Sequence, residues 1–179
     1  MPVRLQRGWN SMDFKHVPVL YEECLDGLAI KPDGIYVDGT LGGAGHAFGI
    51  GSRLSEKGIL IGIDRDKEAI AAASGRLESL ACQKFLVQNT YDQIEAVLDK
   101  LQIDGIDGAL LDIGVSSYQL DNGERGFSYM HDAPLDMRMN QDDSFSAYDV
   151  VNGYDKKKLT EIIRKYGEER WASRISDFI

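Results

Sequence analysis

The chain has 179 residues, 43% apolar and 27% charged, an ordinary globular composition that can furnish one domain with a sizeable core. A formal net charge of −9 argues against a protein that coats nucleic acid through dispersed phosphate contacts, while leaving room for action on RNA through a local basic patch. No apolar run approaches the roughly 20 residues of a membrane span. Met1 to Ser11 lacks the apolar core of a signal peptide, and Cys24 and Cys82 have neither metal-ligand spacing nor a disulfide framework, which fits a reducing cytoplasm.

Residues 1–11 read as an extension ahead of a second start at Met12, expected to be poorly ordered. Val17-Pro18-Val19-Leu20 begins extended, and apolar residues at 20, 24, 25 and 28 then predict a first helix. Lys31-Pro32-Asp33-Gly34 is a turn, and Ile35 to Val37 a first strand that delivers Asp38 to its carboxyl end.

The next residues organise the chain. Gly39-Thr40-Leu41-Gly42-Gly43-Ala44-Gly45-His46 has almost no side chains to obstruct a ligand, as a strand-to-helix cofactor turn requires. A tight connection without a ligand is the other reading. A phosphate-gripping loop would end in Gly-Lys-Ser/Thr, whereas Gly45 is followed by His46-Ala47-Phe48. A dinucleotide loop fails at its third glycine, where Phe48 stands, although Gly43, Gly45 and Gly49 leave a looser match and keep a nicotinamide oxidoreductase as a competitor.

His46 to Leu54 predicts a helix despite Gly49 and Gly51. The run Ile59-Leu60-Ile61-Gly62-Ile63 is a strand buried on both faces, ending in Asp64. An acid at that place accepts hydrogen bonds from ribose hydroxyls, while Asp66 caps the helix expected over 67–80. Lys84 to Val87 is a third strand, followed by a loop in which Tyr91 is either a stacking surface for an adenine ring or packing. Ile94, Val97, Leu98 and Leu101 mark an amphipathic helix, and Asp107 to Ile113 a fourth strand bringing Asp112 to the edge. Strands alternating with helices predict a doubly wound α/β fold. Asp38, Asp64 and Asp112 would then line one crevice at the carboxyl edge of the sheet and suit a positively charged cofactor such as S-adenosylmethionine.

Beyond the fourth strand the pattern is loop-like until Ser146. Leu159, Ile162, Ile163 and Tyr166 then form a helical stripe with Gly167 as its stop, and Trp171, Ile175 and Phe178 begin another. Lys156-Lys157-Lys158 with Arg164 and Lys165 is the dense basic cluster, read either as a solvated helix face or as a local RNA contact. Four strands followed by helices with nothing to return to predict a truncated first part of a larger protein.

The ordered motifs His16-Val17-Pro18-Val19-Leu20, Tyr36-Val37-Asp38-Gly39-Thr40-Leu41-Gly42-Gly43-Ala44-Gly45-His46, Gly62-Ile63-Asp64-Arg65-Asp66, Leu111-Asp112-Ile113-Gly114-Val115-Ser116-Ser117, Gln119-Leu120-Asp121, Glu124-Arg125-Gly126-Phe127-Ser128 and Pro134-Leu135-Asp136-Met137-Arg138-Met139 together resemble the bacterial 16S ribosomal RNA cytosine-N4 methyltransferase family, RsmH/MraW. The resemblance runs from His16 to the end of the chain. It implies a class I S-adenosylmethionine-dependent methyltransferase fold, Rossmann-like and incomplete. Residues 12–119 would be the cofactor-binding α/β domain, and 120–179 the start of an inserted helical domain.

Carried over by position, the resemblance implies that Ala44, Gly45 and His46 touch the cofactor, Asp64 binds its ribose, Tyr91 takes the aromatic place, and Asp112 and Gln119 close the pocket. The implied reaction moves the methyl group to N4 of a cytosine in 16S rRNA of the small ribosomal subunit, in the cytoplasm, with no metal. The N4 amine is a poor nucleophile, so an acceptor for its proton is needed, and Asp112 or an oxygen within Ile113 to Tyr118 is the candidate. Phe127 or Tyr129 could stack on the extruded base or be core. Tyr118 stands where the family commonly has proline, removing a stiffening of that loop. A remnant that binds cofactor without methylating is the other functional reading.

Overall fold

The computed structural model describes residues 18–179. The expected 1–11 extension, the Met12 start and the first two residues of the His16 motif lie outside the described residues. Four parallel strands, β1 (Ile35–Asp38), β2 (Ile59–Asp64), β3 (Gln83–Gln88) and β4 (Gly108–Leu110), form one sheet in the order β3-β2-β1-β4. That is the order of the first four strands of a doubly wound α/β sheet, and it confirms the fold class expected from the alternation. β1 pairs with β2 from Ile35↔Ile59 to Asp38↔Gly62, and with β4 from Tyr36↔Gly108 to Asp38↔Leu110.

Strand alternation sends side chains to two cores. One face takes Tyr36 and Leu60 into a cluster with Leu25 of α1 (Tyr21–Gly27), Ile50 of α2 (Gly45–Arg53) and Leu77 of α3 (Lys67–Leu77). The other takes Val37, Ile61 and Ile63 against Val97 of α4 (Ile94–Leu101). A sheet covered on both sides explains why β2 is a continuous apolar run rather than an alternating one. The glycines that weaken α2 by propensity are required by packing: a Cβ on Gly49 would sit 2.8 Å from Leu25 Cδ1, and one on Gly51 2.5 Å from Leu80 Cδ1.

Several boundaries differ from expectation. β4 ends at Leu110 rather than Ile113, because pairing with β1 stops where that strand does, at Asp38. α3 ends at Leu77 rather than Leu80. A short helix, α5 (Ser117–Asp121), forms where a loop was expected. It is started by a capping box in which the Ser116 side chain accepts from Gln119 N and the Gln119 side chain accepts from Ser116 N. From Ser146 the chain is helical as expected, in α6 (Ala147–Gly153), α7 (Lys156–Gly167) and α8 (Ala172–Phe178). Gly167 is the last residue of α7 rather than its stop: the left-handed residue is Glu168, at φ 51°, whose N–H donates to Ile163 O.

Candidate functional site

The carboxyl ends of β1, β2 and β4 meet at the glycine turn. Gly39 N–H donates to Leu110 O at 2.9 Å and Leu41 N–H to Ile63 O at 3.0 Å, so the turn is stitched to the strand ends on both sides. Gly42 takes φ +46°, a left-handed conformation that glycine adopts without the Cβ clash of other residues. Ala44 also lies in the left-handed region, at φ 56°, fully buried as the cap of α2. Gly45 begins that helix against the Pro18 ring, and any Cβ there would collide with it.

His46 is buried in the first turn of α2. Its Nε2 lies 3.1 Å from Val19 O and its ring stacks on Tyr21 at 6.0 Å between centroids. The imidazole therefore pins the chain ahead of α1 to the turn.

The three carboxylates expected at the crevice are near one another but differently employed. Asp38 is 1% exposed, and its Oδ1 accepts from Thr40 N at 3.1 Å. Burial, reinforced by the nearby Asp64 and Asp112 charges and only partly offset by hydrogen bonds from Thr40 and Ala47, pushes its pKa up to about 7. Asp64 accepts from Gly42 N at 2.7 Å through one oxygen and from Asp66 N at 2.8 Å through the other. It thereby sets the glycine turn against the tip of β2. Asp112 is exposed two residues past β4, its N–H donating to Thr40 Oγ1 at 2.6 Å.

Tyr91 opens a 3-10 turn after β3, 43% exposed, with its Cβ against the Gly39 backbone. A partly exposed aromatic residue thus stands beside Gly39, at the start of the glycine turn. Gln119 is buried and fully engaged: its amide oxygen accepts from Ser116 N, and its Nε2 donates to Asp66 Oδ2 at 3.2 Å. Tyr129 is 96% exposed and Phe127 half-buried.

Sequence reasoning missed Arg125. It is 1% exposed, and its Nη2 donates to Asp66 Oδ2 at 2.8 Å, to Met139 O at 2.7 Å and to Arg138 O at 3.2 Å, while Nη1 donates to Glu68 Oε2 at 3.0 Å. Asp66 is thus more than a helix cap. It is the hub joining Asp64, Gln119 and Arg125. The capping box at Ser116 was readable from its spacing, but a lone arginine in a loop gives no periodic signal.

Together these features define a class, the parallel α/β domain with a glycine turn and strand-tip acids at the carboxyl edge of its sheet, the edge at which such folds bind their ligands. A model of the MraW methylase family matches residues 13–179, and the chain belongs to that family. The family expected from the ordered motifs is therefore the one found. Similar relatives include the ribosomal RNA small subunit methyltransferase H of Lachnospira eligens, 56% identical over 168 residues that cover 94% of this chain and 53% of that protein. The proteins of the same name from Clostridioides difficile and Clostridium botulinum are each 54% identical over 168 residues, 94% of this chain and 54% of theirs. The chain spans about half the length of the curated relatives it matches. Among the described residues, no helix is long and apolar enough to cross a membrane.

Proposed function

We propose that this chain binds S-adenosylmethionine at the glycine turn and forms the cofactor-binding part of a cytoplasmic enzyme that methylates N4 of a cytosine in 16S rRNA of the small ribosomal subunit. The observation behind the cofactor is the convergence of Asp38, Asp64 and Asp112 on the turn, close enough for the charges of the other two to raise the Asp38 pKa. Such a cluster of carboxylates attracts a sulfonium, accepts from an α-ammonium group and repels a pyrophosphate. Gly42 N–H, a donor that a pyrophosphate would need, is already given to Asp64. Each Asp64 oxygen retains a lone pair after its backbone bond, so the carboxylate can also accept from a ribose hydroxyl.

In this reading Ala44 and Gly45 let the backbone approach the cofactor, His46 orients that backbone, and Tyr91 offers its face to the adenine. Gln119 acts at one remove, through Asp66. The bound cofactor supplies an activated methyl group, and the protein supplies alignment. Asp112, exposed at the edge beside Thr40, would accept an N4 proton from the cytosine. Residues 12–119 would form the cofactor domain and 120–179 the start of the inserted one.

Calorimetry with S-adenosylmethionine and with NAD is the test. Binding of the first and not the second is expected, and the reverse would make the chain a nicotinamide protein. Methylation of small ribosomal subunits by this chain, run beside a full-length relative, separates an enzyme from a cofactor-binding remnant.

A further inference from the structure

We propose that the groove between α7 and α8 is a docking surface for the phosphate backbone of single-stranded RNA; this rests on the rRNA reading above and names the surface that would hold the substrate. The groove is lined by Lys156, Lys157, Thr160, Glu161, Arg164 and Lys165 of α7, with Ser173 of α8 on its far side. Spacings of four residues put Lys156, Thr160 and Arg164 in one row and Lys157, Glu161 and Lys165 in the next, while Leu159 is buried away from solvent. Each row is about 12 Å long, enough to follow roughly three nucleotides.

Charge separates this face from the rest of the molecule. α7 holds five Lys or Arg against one Glu, a net +4 in a chain of net −9, so all other residues together carry −13. Lys156 is paired with Asp177 of α8 across the groove's end, an exposed bridge that marks where the two helices meet and contributes little by itself. Lys157, Arg164 and Lys165 make no ion pair among the described residues, and Glu161 pairs with none of them.

The placement also opposes the helix. Lys156, Lys157 and Lys158 occupy the first turn of α7, where the macrodipole disfavours cations by about 0.3–1 kcal/mol each. Asp155 at the cap, accepting from Lys158 N at 2.8 Å, offsets only part of that. Arg164 and Lys165, in the last turn, are favoured by the dipole, so the cost falls on the three lysines of the first turn. An anionic partner recovers the cost, and RNA is the polyanion the family handles.

The test is fluorescence anisotropy of labelled oligocytidylate with the 179-residue chain over a range of salt, comparing wild type with K157Q/R164Q and with K57Q/K100Q, which removes equal charge from exposed positions elsewhere. Loss of two phosphate contacts is expected to weaken binding roughly 25-fold at 0.1 M salt and to reduce the log–log salt slope by about 1.4 for the groove variant alone. Equal weakening by both variants, no RNA binding by the wild type, or displacement of the RNA by an equal charge of polyglutamate would overturn the proposal, the last by making the groove a seat for an acidic protein. Calorimetry with S-adenosylmethionine on the same samples reports separately on the cofactor reading, which the groove variant is expected to leave unchanged.

Discussion

Asp66 and Arg125 form a buried ion pair at 2.8 Å, with side chains 6% and 1% exposed, that joins the tip of β2 to the chain beyond β4. Because Asp66 N–H also donates to Asp64, whose other oxygen receives Gly42 N–H, the pair stands two hydrogen-bonded steps from the glycine turn. Two exposed bridges, Arg65–Asp143 and Lys67–Asp142, run beside it, but solvent-screened pairs of that kind contribute little.

Removing one partner of a buried pair leaves the other charged, desolvated and alone. Arg125→Met is therefore expected to destabilise the chain by about 3–5 kcal/mol in urea unfolding, and adding Asp66→Asn is expected to recover part of that loss. An Arg125→Met variant as stable as wild type would show that the pair does not anchor this segment.

The turn itself is sensitive to a single methyl group. Gly42→Ala forces a side chain into the left-handed region at a cost of about 1–2 kcal/mol, and Gly45→Ala drives a Cβ into the Pro18 ring. Both variants are expected to melt lower than wild type in calorimetric scans. If the cofactor sits here, both also bind S-adenosylmethionine more weakly.

Asp38 gives the protein a pH signature. Its folded pKa, about 7, lies above the ordinary carboxylate value of 3.8, so the folded state holds a proton that the unfolded state releases. The resulting stability is fully present below about pH 4 and is lost as pH rises through 7, a change of up to about 4 kcal/mol. Asp38→Asn is expected to abolish this slope in denaturant titrations between about pH 3 and pH 8, roughly one unit below the unfolded value and one unit above the folded one. A cationic cofactor favours the ionised form, so S-adenosylmethionine affinity is expected to rise over the same window in the wild type and to stay level in the variant.

Asp64→Asn keeps the size of the side chain, removes its charge and replaces one of the two oxygens that accept from Gly42 N and Asp66 N by an amide donor. With a charge-assisted hydrogen bond to the ribose worth roughly 1.5–3 kcal/mol, S-adenosylmethionine affinity measured by calorimetry is expected to fall about tenfold to a hundredfold. An unchanged affinity would remove Asp64 from the site.

The parallel sheet was legible because its determinants are local. A short, isoleucine-rich apolar run such as Ile59 to Ile63 fits a strand covered on both faces, and periodic residues such as Ile94, Val97, Leu98 and Leu101 declare a helix without reference to anything distant. The glycine turn and the acids at the strand tips were legible for the same reason, since each follows directly from the strand before it. Helix α5 carries a local signal in its Ser116–Gln119 box, but at five residues it is too short to show the apolar periodicity that marks the longer helices. The end of β4 could not be read at all: it is set by where β1 runs out, 72 residues earlier.

The sequence by itself determined the four strands, most of the helices, their order, the glycine turn and the family, because these follow from short-range periodicity, glycine placement and ordered motifs. Only the tertiary structure decided what the polar residues do with one another. It buried Arg125 on Asp66, joined Gln119 to both Ser116 and Asp66, raised the Asp38 pKa by enclosing it, and folded basic residues of α7 into a groove against α8. Burial and partnership are properties of what lies across the fold, and no window along the chain contains them.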